Sequence, residues 1–349
     1  TSTPFTQFND ANYTDYEVST AVDVSNVEFI KTSDDGKYVM MLSTDTSGQV
    51  LISSDYGVSF VNKNLGTPLN NATYSIRRRA CMSLNGRYMA IVGNNVNGDG
   101  VIYYSNNYGT TFTSSLSTTS LTYTCATMSG NGKFLFVGTN NEKLYVSSDF
   151  GGSIDNHAQT PISTAGVGSS PNLNWRNIVS NNNGKYVVAV TTDKVFLSKS
   201  DNEFSNTSSW EDITTSSGLD PSKVGTMVMS DDGAYVFMHY DYNRILRIGQ
   251  TYGYNYGGTI NNWTAASNTI DSVDAAGISN HGVGTDFSIA ITTNTGLDGK
   301  YVHIVNNHGA AHKRVYVTNQ GTSATANPIT WSEDPVSYTH LTLPTNDQV

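Results

Sequence analysis

The sequence predicts an all-β protein assembled from repeated four-stranded units, and three observations lead to this prediction. A turn motif recurs roughly every fifty residues along most of the 349-residue chain. Short runs of β-branched and aromatic residues alternate with Gly, Asn and Asp turns, which is typical of antiparallel strands. No long window shows apolar residues at the 3.6-residue spacing of an amphipathic helix.

The recurring turn motif reads Ser-x-x-Gly, followed by a basic residue, an aromatic residue and an apolar run. Residues 33–42 form the first copy and residues 83–92 the second. The turn glycines of the six copies are Gly36, Gly86, Gly132, Gly184, Gly233 and Gly299. Only the interval before the last copy is clearly longer, which indicates an insertion there. Repetition this regular predicts one structural unit copied along the chain.

Each unit repeats the same order of strands and turns, and the third unit shows it clearly. A first apolar run at residues 125–128 precedes the turn, a second follows at 134–137, and a third lies at 143–146. A Gly turn and a Ser/Thr-rich stretch complete a four-stranded meander. Each such unit can bury its face against the next, and ring closure removes exposed edges. The sequence therefore predicts a β-propeller of about six (six or seven) blades.

A second motif lies between the third and fourth strands of the first three units. It reads Ser-x-Asp-x-Gly-x-Ser/Thr-aromatic, with Asn in place of Asp in the second unit. Its residues are Ser53, Asp55, Gly57 and Phe60, then Ser105, Asn107, Gly109 and Phe112, then Ser147, Asp149 and Gly151. This pattern resembles the Asp-box of bacterial neuraminidase (BNR) repeats. Such repeats occur in sialidases, sortilin-like receptors, some glucanases and surface proteins of phages and large viruses.

The resemblance implies that these loops lie away from the ligand-binding mouth of the propeller. We therefore expect Asp55 and Asp149 to fasten their own turns by hydrogen bonds to nearby N–H groups, rather than to catalyse a reaction. Hydrogen bonds to a carboxylate are stronger than those to an amide, so we expect Asn107 to stabilise its turn less than Asp55 does. In the last three units the motif is lost, and the next aromatic comes only at Trp210, Trp263 and Trp331.

The resemblance also raises the question of a catalytic site, because sialidases bind a substrate carboxylate with three arginines. Arg78 and Arg176 stand at equivalent positions, eight residues before their turn glycines. The corresponding residues of the third and fifth units are Thr124 and Gly225, so this position completes no arginine triad. We predict no catalytic residue, no metal ligand and no cofactor. A glycoside hydrolase of the sialidase or glucanase type is the alternative.

A ligand site is expected where the loops between second and third strands meet the connections between units. The candidate ligand-binding residues there are Arg78, Trp175, Arg176, Tyr240, Tyr242 and Arg244. Aromatic rings beside amide and charged groups are usual in sugar recognition. The alternative is a tyrosine-rich surface that binds nothing.

The two cysteines, Cys81 and Cys125, exclude a disulfide-dense scaffold and a four-thiolate zinc site. Both precede their turn glycines by an odd number of residues, so they lie on the same side of their strands. We expect free thiols on the core faces of adjacent first strands, with a disulfide as the alternative.

The amino-acid composition limits the classes of molecule that the protein is expected to bind. The chain has 29 acidic against 19 basic residues, a net charge of −10, which argues against a nucleic-acid binder with a basic stripe. No apolar run is long enough for a membrane span. Low charge and abundant Ser, Thr and Asn favour an extracellular or virion-surface protein. We predict a non-enzymatic propeller that binds a glycan or another cell-surface ligand. A structural repeat segment of a viral or phage fibre is a further alternative, and the oligomeric state is left open.

The two ends of the sequence set the expected domain. Residue 1 is Thr rather than Met, so a signal peptide is expected to lie outside this sequence if the protein is secreted. Residues 336–345 resemble one reading frame of a sequencing adapter, so we interpret residues 336–349 as a non-native tail. The predicted domain is one β-propeller over residues 1–335, and truncation of the natural domain at either end is left open.

Overall fold

The structure is a computed structural model. It describes residues 27–43, 49–65, 80–94, 100–116, 122–140, 144–150, 161–162, 173–199, 210–217, 219–240, 244–249, 265–269, 287–291, 302–308, 312–318 and 332–333. Within these ranges the chain forms six sheets of four strands each. Every sheet is an antiparallel meander whose strands follow one another in chain order. The predicted fold of repeated four-stranded antiparallel units is therefore confirmed.

The first three sheets cover the first half of the chain. Sheet 1 contains β1 (Val27–Thr32), β2 (Val39–Ser43), β3 (Gln49–Ser53) and β4 (Val61–Asn64). Sheet 2 contains β5 (Ala80–Met82), β6 (Met89–Asn94), β7 (Gly100–Ser105) and β8 (Thr113–Leu116). Sheet 3 contains β9 (Tyr123–Met128), β10 (Leu135–Thr139), β11 (Leu144–Ser147) and β12 (Pro161–Ile162).

The last three sheets follow with the same topology. Sheet 4 contains β13 (Trp175–Ser180), β14 (Tyr186–Thr191), β15 (Val195–Lys199) and β16 (Trp210–Asp212). Sheet 5 contains β17 (Val224–Met229), β18 (Tyr235–Tyr240), β19 (Arg244–Gly249) and β20 (Ala265–Thr269). Sheet 6 contains β21 (Phe287–Ile291), β22 (Val302–His308), β23 (His312–Thr318) and β24 (Ser332–Glu333). A short helix α1 (Thr214–Ser217) and a 3-10 turn (Pro221–Lys223) connect sheets 4 and 5. No helix of the described ranges is long and apolar enough to cross a membrane.

Four hydrophobic cores lie between neighbouring sheets, from sheets 1 and 2 to sheets 4 and 5. Side chains alternate across a strand, so β6 sends Met89 and Ile91 towards sheet 1 and Ala90 and Val92 towards sheet 3. Both faces of the middle sheets are therefore buried. This explains why their strands read as unbroken apolar runs rather than as alternating ones.

The turns between first and second strands share one hydrogen-bond pattern. In sheet 1 the hydroxyl of Ser33 accepts from the N–H of Tyr38 at 2.9 Å and donates to Asp35 at 2.6 Å. The same carboxylate accepts from the N–H of Lys37. Gly36 takes a φ of 73°, which a residue with a side chain rarely adopts. In sheet 4 the amide oxygen of Asn181 replaces the serine hydroxyl as the acceptor of the backbone N–H five residues later.

The tips of these turns are joined from sheet to sheet by backbone hydrogen bonds of 2.7–2.9 Å. The N–H of Asp34 donates to Leu84, that of Leu84 to Gly130, that of Asn131 to Asn182, and that of Asn182 to Asp231. We call this series the turn belt. It runs through sheets 1 to 5 and fixes the distance between neighbouring sheets at this end of the molecule.

Candidate functional site

The two ends of the sheets have different roles. In each meander, the turns after the first and third strands lie at one end, which we call the turn end. The loops after the second strands and the connections between sheets lie at the other, the mouth end. The turn end carries the Asp-box-like motifs. Of the predicted ligand residues that the structure describes, Trp175, Arg176, Tyr240 and Arg244 lie at strand ends on the mouth side.

The Asp-box-like turns hold themselves together by side-chain hydrogen bonds. The carboxylate of Asp55 accepts from the hydroxyl of Ser53 at 2.8 Å and from the N–H of Ser59 at 2.9 Å. Its second oxygen accepts from the hydroxyl of Ser59 at 2.5 Å. The hydroxyl of Ser53 in turn accepts from the N–H of Gly57. These bonds, led by the hydroxyl of Ser59, lower the pKa of Asp55.

The other two turns are variants of the same arrangement. In sheet 2 the amide oxygen of Asn107 accepts from Ser105 and from the N–H of Thr111, each at 3.0 Å. Its amide nitrogen donates to the hydroxyl of Thr111. In sheet 3 Asp149 accepts from Ser147 at 3.1 Å. Phe60 and Phe112 are half-buried, Gly109 is buried with a φ of 72°, and Gly151 lies outside the described residues.

Of the predicted mouth residues, Arg78 and Tyr242 lie outside the described ranges. Tyr240 ends β18 and pairs with Arg244 at the start of β19, and nothing is described of their side chains. Trp175 is only 1% exposed, and its ring packs 5.5 Å from that of Phe196. This corrects the expectation that Trp175 binds a ligand, because its ring lies in the core between sheets 3 and 4.

Arg176 lies at a β-bulge, where the pairing of β13 with β14 skips one residue between Trp175 and Asn177. Its side chain is half-buried and reaches the next sheet. Nη1 donates to the carbonyl of Ser222 at 3.1 Å and lies 3.5 Å from that of Pro221. The guanidinium therefore ties sheet 4 to the 3-10 turn that leads into sheet 5.

Hydrogen bonds from side chains to backbone carbonyls join the first strands of sheets 3 to 5 in the same region. The hydroxyl of Thr124, which β9 skips at its own register shift, donates to the carbonyl of Trp175 at 2.7 Å. The side-chain amide of Asn177 donates to the carbonyl of Gly225 at 2.6 Å. Sequence reasoning missed Asn177, and it assigned no structural role to Thr124. The available signal was that both residues are polar and lie in strands that also bury apolar side chains.

The mouth-end turn of sheet 4 adds a compact polar group. The hydroxyl of Thr191 donates to Asp193 at 3.0 Å and accepts from the N–H of Lys194 at 2.9 Å. The ammonium of Lys194 forms a 2.6 Å ion pair with Asp212. Burial opposes ionisation of Asp212, but hydrogen bonds from Lys194 and Thr214 outweigh it, so its pKa lies below the ordinary value.

The connection between sheets 4 and 5 is fixed by a capping residue. Asp220 accepts from the hydroxyl of Ser222 at 2.6 Å and from its N–H at 3.0 Å, and both bonds lower the pKa of Asp220. Asp193, Asp220 and Lys223 remain exposed around this connection. The described part of this end of sheet 4 thus presents hydrogen-bonded carboxylates and lysine side chains to solvent. Within the described ranges, no three His, Cys, Asp or Glu side chains lie close enough to hold a metal ion.

No profile of a known protein family matches the sequence, and no curated protein is significantly similar to it. Solved structures are similar in fold. A GH74 enzyme from Niastella koreensis superposes with a TM-score of 0.57 at 16% identity, over 88% of this chain and 45% of that one. The chain therefore spans less than half the length of that enzyme.

Two further similar structures are propellers of other kinds. The Swd1 β-propeller domain of Myceliophteria thermophila gives a TM-score of 0.53 at 10% identity, over 90% of this chain and 89% of that one. A YCF48 protein solved with a bound peptide gives 0.50 at 14% identity, over 89% and 82%. At these identities the likeness shows the fold alone. It confirms the predicted β-propeller.

Proposed function

We propose that this propeller is a non-enzymatic binding module whose ligand, a glycan, docks at the mouth end. The observation that carries the proposal is the hydrogen bonding of the Arg176 side chain. Its Nη1 donates to backbone carbonyls of the 3-10 turn that leads into sheet 5. An arginine that binds a substrate carboxylate instead directs its paired N–H groups into the pocket.

The polar groups at the mouth suit sugar hydroxyls. Asp193, Asp220 and Ser222 are exposed, and hydrogen bonds to their own turns hold them in fixed positions. Fixed acceptors lose little conformational entropy on binding. In the sequence, Tyr240 precedes the second-to-third-strand loop of sheet 5 and Tyr242 lies within it, and both would add rings for stacking against the apolar face of a sugar.

The second candidate is a glycoside hydrolase, which the structural likeness to a GH74 enzyme favours. A peptide ligand is a further outcome to be tested, since the YCF48 structure contains one. We also propose one domain over residues 1–335, with residues 336–349 outside it. From composition we place the protein outside the cell or on a virion surface.

A glycan array, read beside hydrolysis assays on xyloglucan and a fluorogenic sialoside, tests this proposal. We expect binding of a defined glycan class without turnover of either substrate. Tyr242→Ala should weaken binding by about tenfold, the size of one lost aromatic contact. Tyr56→Ala is the matched control, because Tyr56 is 66% exposed but lies at the turn end. Turnover that Arg176→Gln abolishes without unfolding the protein would establish the hydrolase instead. If no glycan on the array is bound, the proposal that the ligand is a glycan is contradicted.

A further inference from the structure

The turn end carries a cluster of one cation and two aromatic rings at the junction of sheets 2 and 3. The rings of Tyr88 and Phe150 lie 5.1 Å apart, and the guanidinium carbon of Arg87 lies 5.3 Å from the centre of the Tyr88 ring. We call Arg87, Tyr88 and Phe150 the junction cluster. It joins the first turn of sheet 2 to the Asp-box-like turn of sheet 3, far from the mouth.

Arg87 is exposed yet held in position. Its Nε donates to the carbonyl of Asn106 at 3.2 Å, and its plane lies over Tyr88. Among the described residues, no hydrogen bond uses either of its terminal nitrogens. A guanidinium fixed at Nε with both terminal groups open has the geometry that binds a carboxylate or sulfate through two parallel hydrogen bonds.

Phe150 presents an aromatic surface at an energetic cost. It is 41% exposed and adopts a φ of 58°, a left-handed conformation that bulky residues rarely take. Asn or Gly would occupy this position with less strain. Tyr56 and Tyr108 take the same conformation in the other two Asp-box-like turns, so the strain belongs to the turn. What distinguishes Phe150 is its neighbouring ring, Tyr88, which has an arginine over it, whereas the ring beside Tyr108 has a lysine.

The junction cluster has fewer carboxylates in its first turn than the equivalent junction of sheets 1 and 2. The first turn of sheet 1 contains two carboxylates, Asp34 and Asp35, whereas that of sheet 2 has Leu84 and Asn85 at these positions. Asp149, beside Phe150, is the carboxylate that acts on this junction, and it is bonded to Ser147. The junction cluster thus has one guanidinium beside one exposed carboxylate, so an anionic ligand would be held by the directed hydrogen bonds of Arg87 rather than by net charge.

A buried hydroxyl adjoins the junction cluster. Tyr104 is 5% exposed, its ring lies 6.5 Å from that of Tyr88, and the charges of Asp149 and Arg87 act on it. Among the described residues its hydroxyl has no hydrogen-bond partner. Burial raises the pKa of Tyr104, so the hydroxyl stays protonated at neutral pH. The hydroxyl oxygen is buried, so Tyr104 supports the Tyr88 ring from the core side and does not itself contact a ligand on the surface.

We propose that the junction cluster binds an acidic sugar, a pyranose that carries a carboxylate or a sulfate. The apolar face of the sugar lies on Phe150, and its anionic group is held by the terminal nitrogens of Arg87. This site is separate from the mouth and does not depend on the function proposed there.

Calorimetric titrations of the intact protein test the site with three hexasaccharides: a galacturonate oligomer, a chondroitin sulfate oligomer and cellohexaose. We expect one or both anionic oligomers to bind, with cellohexaose weaker by at least about tenfold. The affinity should fall as salt rises. Chondroitin sulfate carries carboxylates as well as sulfates, so binding of both anionic oligomers indicates the carboxylate, and binding of chondroitin sulfate alone indicates the sulfate. Equal affinity for all three, or for none, would overturn the proposal, and so would equal affinity for polyglutamate, which has the charge without the ring.

Three substitutions locate the site on the protein. Arg87→Gln should weaken binding by about tenfold or more. Arg87→Lys should weaken it less, because Lys keeps the charge but cannot form two parallel hydrogen bonds. Phe150→Asn removes the ring while suiting the left-handed backbone, so it should lose binding and keep its melting temperature. Tyr108→Asn is the matched control, because Tyr108 has a φ of 61° and stacks at 4.7 Å on Tyr38 between sheets 1 and 2. Unchanged binding in Phe150→Asn, or an equal loss in Tyr108→Asn, would contradict the assignment.

Discussion

At the scale of single residues, the turns are fastened by oxygen atoms of short side chains. Asp55 accepts hydrogen bonds from Ser53 and from both the N–H and the hydroxyl of Ser59. Asn107 reproduces two of the accepting bonds with one neutral oxygen. The two turns therefore have almost the same backbone, but a charged side chain holds one and a neutral side chain holds the other.

This comparison gives a prediction about pH. Hydrogen bonds lower the folded-state pKa of Asp55, so the ionised form stabilises the folded protein. That contribution is complete above the unfolded pKa of about 4 and is lost as pH falls through the lower folded value. We expect Asp55→Asn to reduce the free energy of unfolding at pH 7, with the deficit shrinking below about pH 4.

Urea unfolding from pH 7 down to pH 3 measures this difference. Asn107→Asp is the reciprocal control, and it should gain stability at pH 7 and lose that gain in acid. A deficit in Asp55→Asn that is the same at every pH would mean that the charge of Asp55 contributes nothing.

At the scale of strands and turns, the sheets are spaced by contacts between a turn glycine and a ring of the preceding sheet. A Cβ built on Gly132 would lie 2.3 Å from the ring of Tyr88, and one on Gly184 would lie 2.4 Å from Phe134. The same relation joins Gly86 to Tyr38. Gly86, Gly132 and Gly184 are thus required twice, once for their positive φ and once for the ring packed against them.

The two requirements can be separated by substitution. Gly36 has a φ of 73°, but no described atom lies within 4 Å of its added Cβ, whereas Gly132 has a φ of 80° and the clash with Tyr88. Gly36→Ala should lower the free energy of unfolding by about 1–2 kcal/mol, the cost of a left-handed residue. Gly132→Ala should lower it by roughly a further 1–3 kcal/mol through overpacking.

Denaturant unfolding of both variants measures these costs, and a double-mutant cycle assigns the second one. Tyr88→Ala combined with Gly132→Ala should recover part of the added loss, because the small side chain leaves room for the new methyl group. Equal losses in the two single variants would show that the ring does not restrain the turn.

Part of this architecture could be predicted from the sequence, because turns are local. The positive φ of Gly36 and the hydroxyl of Ser33 depend on neighbouring residues, so their spacing revealed the sheets. The side that each residue of β13 faces could not be predicted by counting from the turn. The bulge at Arg176 breaks the alternation, so Trp175 joins Ile178 in the core between sheets 3 and 4. The bond from Arg176 to Ser222 depends on the neighbouring sheet, which the sequence of β13 does not encode.

At the scale of the whole molecule, the cores lie between sheets rather than inside a single layer. Cys81 belongs to the core between sheets 2 and 3, and Cys125 to the core between sheets 3 and 4. Both are free thiols and buried, as the sequence predicted. Sheet 3 contributes to both cores, so unfolding of sheet 3 exposes both thiols at once.

The reactivity of the two thiols follows from this arrangement. Burial raises the pKa of Cys81 to about 12, so at pH 8 only roughly one thiol in ten thousand is the reactive thiolate. In native protein, we expect iodoacetamide to label Cys81 and Cys125 together, at the rate of global unfolding, because the shared sheet couples their cores. Peptide mass analysis over time measures both rates, with urea-unfolded protein as the fully reactive control. Labelling of Cys81 well before Cys125 would show instead that the junction of sheets 2 and 3 opens by itself, and that each junction of the propeller has its own stability.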